Sequence, residues 1–193
     1  MIDSAARIVL GYHGCLEPLA TDLVTGKVSI REWPRSANTW DWLGEGVYFW
    51  EHAPERAFDW AKEKAAKSGT GAVPGVVGAV LVLRRCFDLT TPRFTGVLAA
   101  AYHQVKSSYE AKGKPLPANR GRDADRKRRE LDCLVINYCL REVAKGFEAV
   151  RSPFWEGDPI YPGTSFRMQS HVQIAVRDVA CILGVFRPNL EAS

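Results

Sequence analysis

The run GVVGAVLVLRR at 75–85 constrains this chain more than any other segment. Its valines and leucines make it the strongest strand candidate in the sequence. No apolar run in the chain reaches the ~18 residues that span a bilayer, so this segment belongs to a sheet. A sheet needs neighbours, and four more strand candidates stand along the chain. They lie at 8–12 (IVLGY, ending at His13-Gly14), 46–50 (GVYFW), 172–176 (VQIAV) and 181–186 (CILGVF).

Helices are expected between them. Residues 16–24 can form an amphipathic helix stopped by Gly26. Pro54 opens another, in which Ala57, Phe58, Trp60 and Ala61 recur at helical spacing until Gly69. Residues 92–112 read as helix and 113–121 as loop. Residues 123–145 read as one long helix, with Leu131, Val135, Ile136 and Leu140 on one face. Residues 26–45 and 154–165 read as loops. Strands and helices alternate early and strands gather late, which predicts an α+β fold over a repeating βαβ sheet.

With 193 residues and 46% hydrophobic content, one domain over 1–193 is expected. Six Trp, six Tyr and eight Phe argue against disorder. The N-terminus lacks a basic region followed by an apolar stretch, so the expected location is cytoplasmic, with no membrane contact. Five cysteines without a CxxC pair, and four scattered histidines, predict reduced buried thiols and no metal site. The formal charge of +4 falls within 120–129, RGRDADRKRR; the rest of the chain balances. That run is either a solvated segment or a phosphate-binding one, with Arg126, Arg128 and Arg129 the candidate contacts to an acceptor.

Three separated pieces carry chemistry together. Tyr12-His13-Gly14 ends the first strand candidate. Trp42-Leu43-Gly44-Glu45-Gly46-Val47-Tyr48-Phe49 is a glycine-bracketed turn entering a strand. Ser170-His171-Val172-Gln173-Ile174-Ala175-Val176 is a late strand carrying a polar residue. Each alone has an ordinary structural reading: a satisfied histidine, a packed tyrosine, a strand-surface glutamine.

In this order the pieces resemble the ADP-ribosyltransferase superfamily, in its diphtheria-toxin and poly(ADP-ribose)-polymerase-like branch. That branch has a His-Gly on its first strand, a Gly-x-Gly-x-Tyr-Phe turn, a small-residue helix where Ala57 and Ala61 fall here, and a late Glu, Asp or Gln. The resemblance implies two small sheets around an NAD⁺ cleft. It implies that His13 bonds the adenosine ribose, the Gly14 backbone holds the nicotinamide amide, Tyr48 stacks on the ring and Gln173 faces the nicotinamide ribose. Tyr12 and Gly46 complete the expected NAD⁺ contacts. The implied activity is NAD⁺-consuming mono-ADP-ribosyl transfer to a protein or nucleic acid. Such an enzyme suits a toxin, defence effector or regulator, held by an antitoxin or inhibitor partner. An NAD⁺ glycohydrolase and a catalytically silent NAD⁺- or ADP-ribose-binding module are the alternatives.

The chemistry agrees with those residue types. Breaking the glycosidic bond of NAD⁺ builds cationic character on the ribose, which an aromatic face, close backbone groups and a hydroxyl acceptor would stabilise. Glutamine accepts a hydrogen bond but is neither charged nor a base, which favours single transfer over polymer elongation. Glu156, on the loop before the last polar strand, is the reserve carboxylate; Glu45 is a weaker one. His171 and Gln169 are expected on the face of Gln173, by period-two alternation, where either could orient the acceptor.

Overall fold

The computed structural model describes residues 6–69, 71–121 and 127–190. The first half contains β1 (Arg7–Leu16), α1 (Glu17–Val24), a 3-10 turn (Ile30–Glu32), β2 (Val47–Glu51), α2 (Pro54–Ser68), β3 (Pro74–Leu83) and β4 (Cys86–Asp88). The second contains α3 (Pro92–Ala111), β5 (Asn119–Arg120), β6 (Arg128–Arg129), α4 (Glu130–Tyr138) with a π-helical turn (Cys139–Val143), β7 (Ala149–Phe154), β8 (His171–Val176) and β9 (Ile182–Phe186). The fold is mixed α+β. No helix among the described residues is long and apolar enough to cross a membrane.

Seven strands form one sheet in the order β4-β7-β8-β2-β1-β3-β9, antiparallel except for β4 beside β7. This corrects the expectation of two separate small sheets. The two halves do join, yet only through Gly11↔Glu51 and Tyr12↔Trp50 in the register of β1 and β2. By contrast, β1 pairs with β3 over ten residues, from Arg7↔Leu83 to Leu16↔Pro74. That long pairing carries β1 past His13-Gly14, where the sequence suggested it would end.

Helices cover both faces, which explains why β3 is apolar throughout rather than alternating. Leu23 and Ala20 of α1 join Trp33, Val47, Phe49, Val77 and Ile174 in one core layer. On the opposite face, α3 and α4 pack with Tyr48, Phe87, Val150, Phe154 and Ala175. There α2 lays Ala57, Ala61 and Ala65, spaced one turn apart, against β1 and β3.

The helix expected over 123–145 is shorter. Arg128–Arg129 pair with Asn119–Arg120 as a small hairpin, and α4 begins only at Glu130. The helix dipole supplies the reason: a helix start favours anions, and Glu130 and Asp132 occupy this first turn while the arginines stay outside it. Asn119 Oδ1 caps the turn, accepting from the Leu131 and Asp132 amides at 3.0 and 3.2 Å. Strands β4 and β7 were not anticipated; β7 takes Phe154 from the expected loop. Arg126 lies outside the described residues.

Candidate functional site

The seam between β1 and β2 organises the site. Leu10 accepts from the His52 amide at 3.0 Å, so alternation aims the backbone groups of Leu10, Tyr12 and Gly14 toward β2. The register ends at Tyr12↔Trp50, two pairs short of Gly14 opposite Tyr48. His13 Nδ1 instead bonds the Tyr48 carbonyl at 2.8 Å, so an imidazole stands where the ladder would continue. Alternation therefore turns the N–H and C=O of Gly14 toward β2, past the end of the pairing.

His13 does not stand beside Tyr48 and Gln173 as one wall. Its ring meets Trp33 edge-on at 5.2 Å and Phe49 at 5.9 Å, in the layer holding α1. Strand alternation sends Tyr48 and Gln173 to the other face, since both neighbour inward residues of that first layer. His13 bounds the seam from one side, and Tyr48 and Gln173 from the other.

Burial pushes the His13 imidazole down to about 4 from its ordinary 6.5. Folding therefore favours the neutral ring. Its contribution is complete above pH 6.5 and is lost as pH falls toward 4. The expected loss at pH 4 is on the order of 2–3 kcal/mol. Urea unfolding between pH 7 and 4 should show that acid sensitivity, and His13→Gln, which keeps a donor for the Tyr48 carbonyl, should reduce it. An unchanged slope in the variant would remove His13 as the cause.

Tyr48 is tied to its own turn. Its hydroxyl donates to the Gly44 carbonyl at 2.6 Å and accepts from the Leu43 amide at 2.8 Å. The phenol sits well above its ordinary pKa because it is buried. Only its ring remains for stacking. The glycines of this turn have packing reasons: Gly44 has φ +75°, and a Cβ on Gly46 would lie 2.9 Å from the Val176 carbonyl oxygen. Tyr48→Phe leaves two buried backbone groups unpaired and should cost about 1–3 kcal/mol in urea unfolding while retaining the ring. A cost below 0.5 kcal/mol, on the order of a surface change, would mean the turn does not depend on the phenol.

Trp50, Gln173 and His171 share the Tyr48 face. Gln173 is 8% exposed, and its amide makes no hydrogen bond to another described residue. His171 Nδ1 donates to the Gln169 carbonyl at 2.7 Å, which leaves Nε2 as an acceptor; that atom is buried without a partner. The Trp50 indole N–H is likewise buried and unpartnered. The two rings lie 6.3 Å apart, and Trp42 stacks on His171 at 6.3 Å. A buried donor, a buried acceptor and an unengaged amide on one face mark a place where a polar group belongs. Trp50 was missed in the sequence, where GVYFW reads simply as strand.

The reserve carboxylate is already engaged. Glu156 is 7% exposed and takes Arg56 at 2.8 Å, Lys127 at 3.6 Å and His171 Nδ1 at 3.7 Å. Glu45, the weaker candidate, pairs with Arg141 and Arg177 and locks the Gly44–Gly46 turn. Gln169 precedes β8 rather than lying on it, so its expected strand-face position is corrected. The residue acts through its backbone, donating to the Glu156 carbonyl at 2.9 Å and holding His171. Burial lowers the His171 pKa, and Arg56 and Arg129 add to that against Glu156.

Arg128 pairs with Glu130 at 3.0 Å and lies over Trp40 at 4.7 Å. Arg129 lies over Trp42 at 4.0 Å and Phe154 at 4.9 Å, and reaches Asp132 at 3.9 Å. Two open surface depressions lie elsewhere, one between α1 and residues 71–73, the other between α2 and residues 187–190. None of the sequence-nominated residues lines either. The five cysteines are unbridged, and burial raises the thiols of Cys15 and Cys133 to about 11 and of Cys86 and Cys181 to about 12, so these four are poor nucleophiles. Among the described residues there is no metal-ligating cluster.

No family model, curated protein or solved structure matches this chain.

Proposed function

We propose that this protein is an NAD⁺-dependent mono-ADP-ribosyltransferase. The observation that supports it most is the parted seam: past its short pairing with β2, β1 turns the Gly14 backbone toward β2, and the adjoining face carries Tyr48, Trp50 and Gln173. The reaction joins an acceptor nucleophile to the anomeric carbon of the nicotinamide ribose. The carbon–nitrogen bond breaks, its electron pair returns to the pyridinium ring, and the acceptor gives up a proton.

In this reading the Gly14 backbone holds the nicotinamide amide and the Tyr48 ring stacks on the pyridine. The Gln173 amide accepts from a ribose hydroxyl. His13 uses Nδ1 on the seam and offers Nε2 to the adenosine ribose. His171 Nε2 is the neutral acceptor available to take the proton, a part that Gln173 cannot play and that the ion-paired Glu156 is poorly placed for. The chemistry needs no metal.

The uncharged Gln173 also favours a second reading, a silent module that binds NAD⁺ without cleaving it. Incubation with NAD⁺ separates them, since the transferase releases nicotinamide and the module does not. Mass spectrometry of modified targets should show one ADP-ribose per site. Ladders of higher adducts would contradict single transfer.

A further inference from the structure

The basic run does more than carry charge, because the hairpin β5–β6 sets it against tryptophans. The Trp42 indole donates to the Lys127 carbonyl at 2.9 Å, and the Arg129 amide donates to the Trp40 carbonyl at 3.4 Å. Residues 40–42 and 127–129 thus run side by side, and each arginine is held over one indole: Arg128 on Trp40, Arg129 on Trp42. The strip continues through Phe154, 4.8 Å from Trp42, to Trp155 and the contact of Lys127 with Glu156. Trp40 is 40% exposed and Trp155 63% exposed.

Positive charge exceeds negative along it. Glu130 serves both Arg120 and Arg128, and Glu156 serves both Arg56 and Lys127. Arg56 also reaches Asp59, which Lys62 shares, and Arg129 reaches Asp132, so six cations meet four carboxylates and a surplus remains. The inner end is Trp42, stacked on His171 beside Gln173.

We propose that this strip is a track for single-stranded nucleic acid. Exposed indoles offer stacking faces to unpaired bases, and the half-exposed Lys127 and Arg128 reach phosphates. A duplex hides its bases and would meet only the charge. The proposal names the acceptor class for the transferase and rests on that reading only for what happens at the inner end.

The test is fluorescence anisotropy with labelled twelve-nucleotide single-stranded RNA, the same sequence as DNA, and its duplex, in the full chain without NAD⁺. Single strands should bind at least roughly tenfold tighter than duplex, with the RNA and DNA arms telling which sugar is preferred. Trp40→Ala and Trp155→Ala should each weaken binding roughly five- to a hundredfold, and Trp40→Phe should restore it. Lys127→Gln with Arg128→Gln should flatten the salt slope by about 1.4, or ~0.7 per phosphate contact. Equal or tighter duplex binding, tryptophan variants indistinguishable from wild type, or displacement by polyglutamate as readily as by unlabelled strand would each overturn it. Because NAD⁺ is absent, failure here leaves nicotinamide release untouched, and loss of nicotinamide release would leave a positive binding result standing.

Discussion

Gln173→Ala should lower nicotinamide release from NAD⁺ by about a hundredfold or more while leaving the fold as stable as before. The size of the activity loss follows from removing one preorganised group aimed at developing charge, which costs on the order of 10²–10³ in rate. The unchanged stability follows from what Gln173 does at rest. It is 8% exposed, and its side-chain amide bonds to no other described residue, so the side chain adds packing and no hydrogen bond to the fold. Alanine breaks no hydrogen bond and gives up only part of one packed side chain. Activity lost with the melting temperature unchanged is the signature of a residue kept for a ligand. A stability loss of about 2 kcal/mol or more with nicotinamide release intact would mark Gln173 as structural.

Gly14→Ala is expected to give the largest loss of stability of the changes considered. A Cβ there would stand 2.1 Å from the Ala57 carbonyl oxygen, 3.1 Å from its carbon and 3.2 Å from the Ala61 amide nitrogen. All three are backbone atoms of α2, so no rotamer relieves the clash and the whole helix must lift from β1. Ala57, Ala61 and Ala65 would lose their packing together, and the expected cost is ~3 kcal/mol or more in urea unfolding. Gly96 is the control. It sits exposed inside α3, and a methyl group placed on it would meet nothing within 4 Å, so Gly96→Ala should stabilise by about 0.5–1 kcal/mol. A Gly14→Ala variant as stable as wild type would mean that α2 does not press on the seam.

Much of this frame was legible from pattern. Pro54 and Pro92 open helices where proline belongs, and the apolar run at 75–85 becomes a strand covered on both faces. The short β4 was invisible because CFD is too brief for any period to show. Residues 123–145 misled because a helical stripe at Leu131 to Leu140 says nothing about where the helix starts; Asn119, twelve residues upstream of its first capped amide, decides that.

The site was legible in part. Period two correctly put His171 with Gln173, and their burial came from the cover of Trp42, Trp50 and Phe154. That the ring of His13 faces another layer follows from the β1–β2 register, which no local pattern encodes. Glu156 reads as a reserve carboxylate because its partner Arg56, 100 residues away, leaves no mark near it in the sequence.

The decisive experiment incubates the purified chain and its Gln173→Ala variant with NAD⁺ labelled on the nicotinamide and on the adenosine, in the presence of cell lysate. A transferase releases free labelled nicotinamide and leaves adenosine label on a macromolecule, and the variant loses both. Intact NAD⁺ at the end of the incubation, with no binding of NAD⁺ by calorimetry, would contradict it.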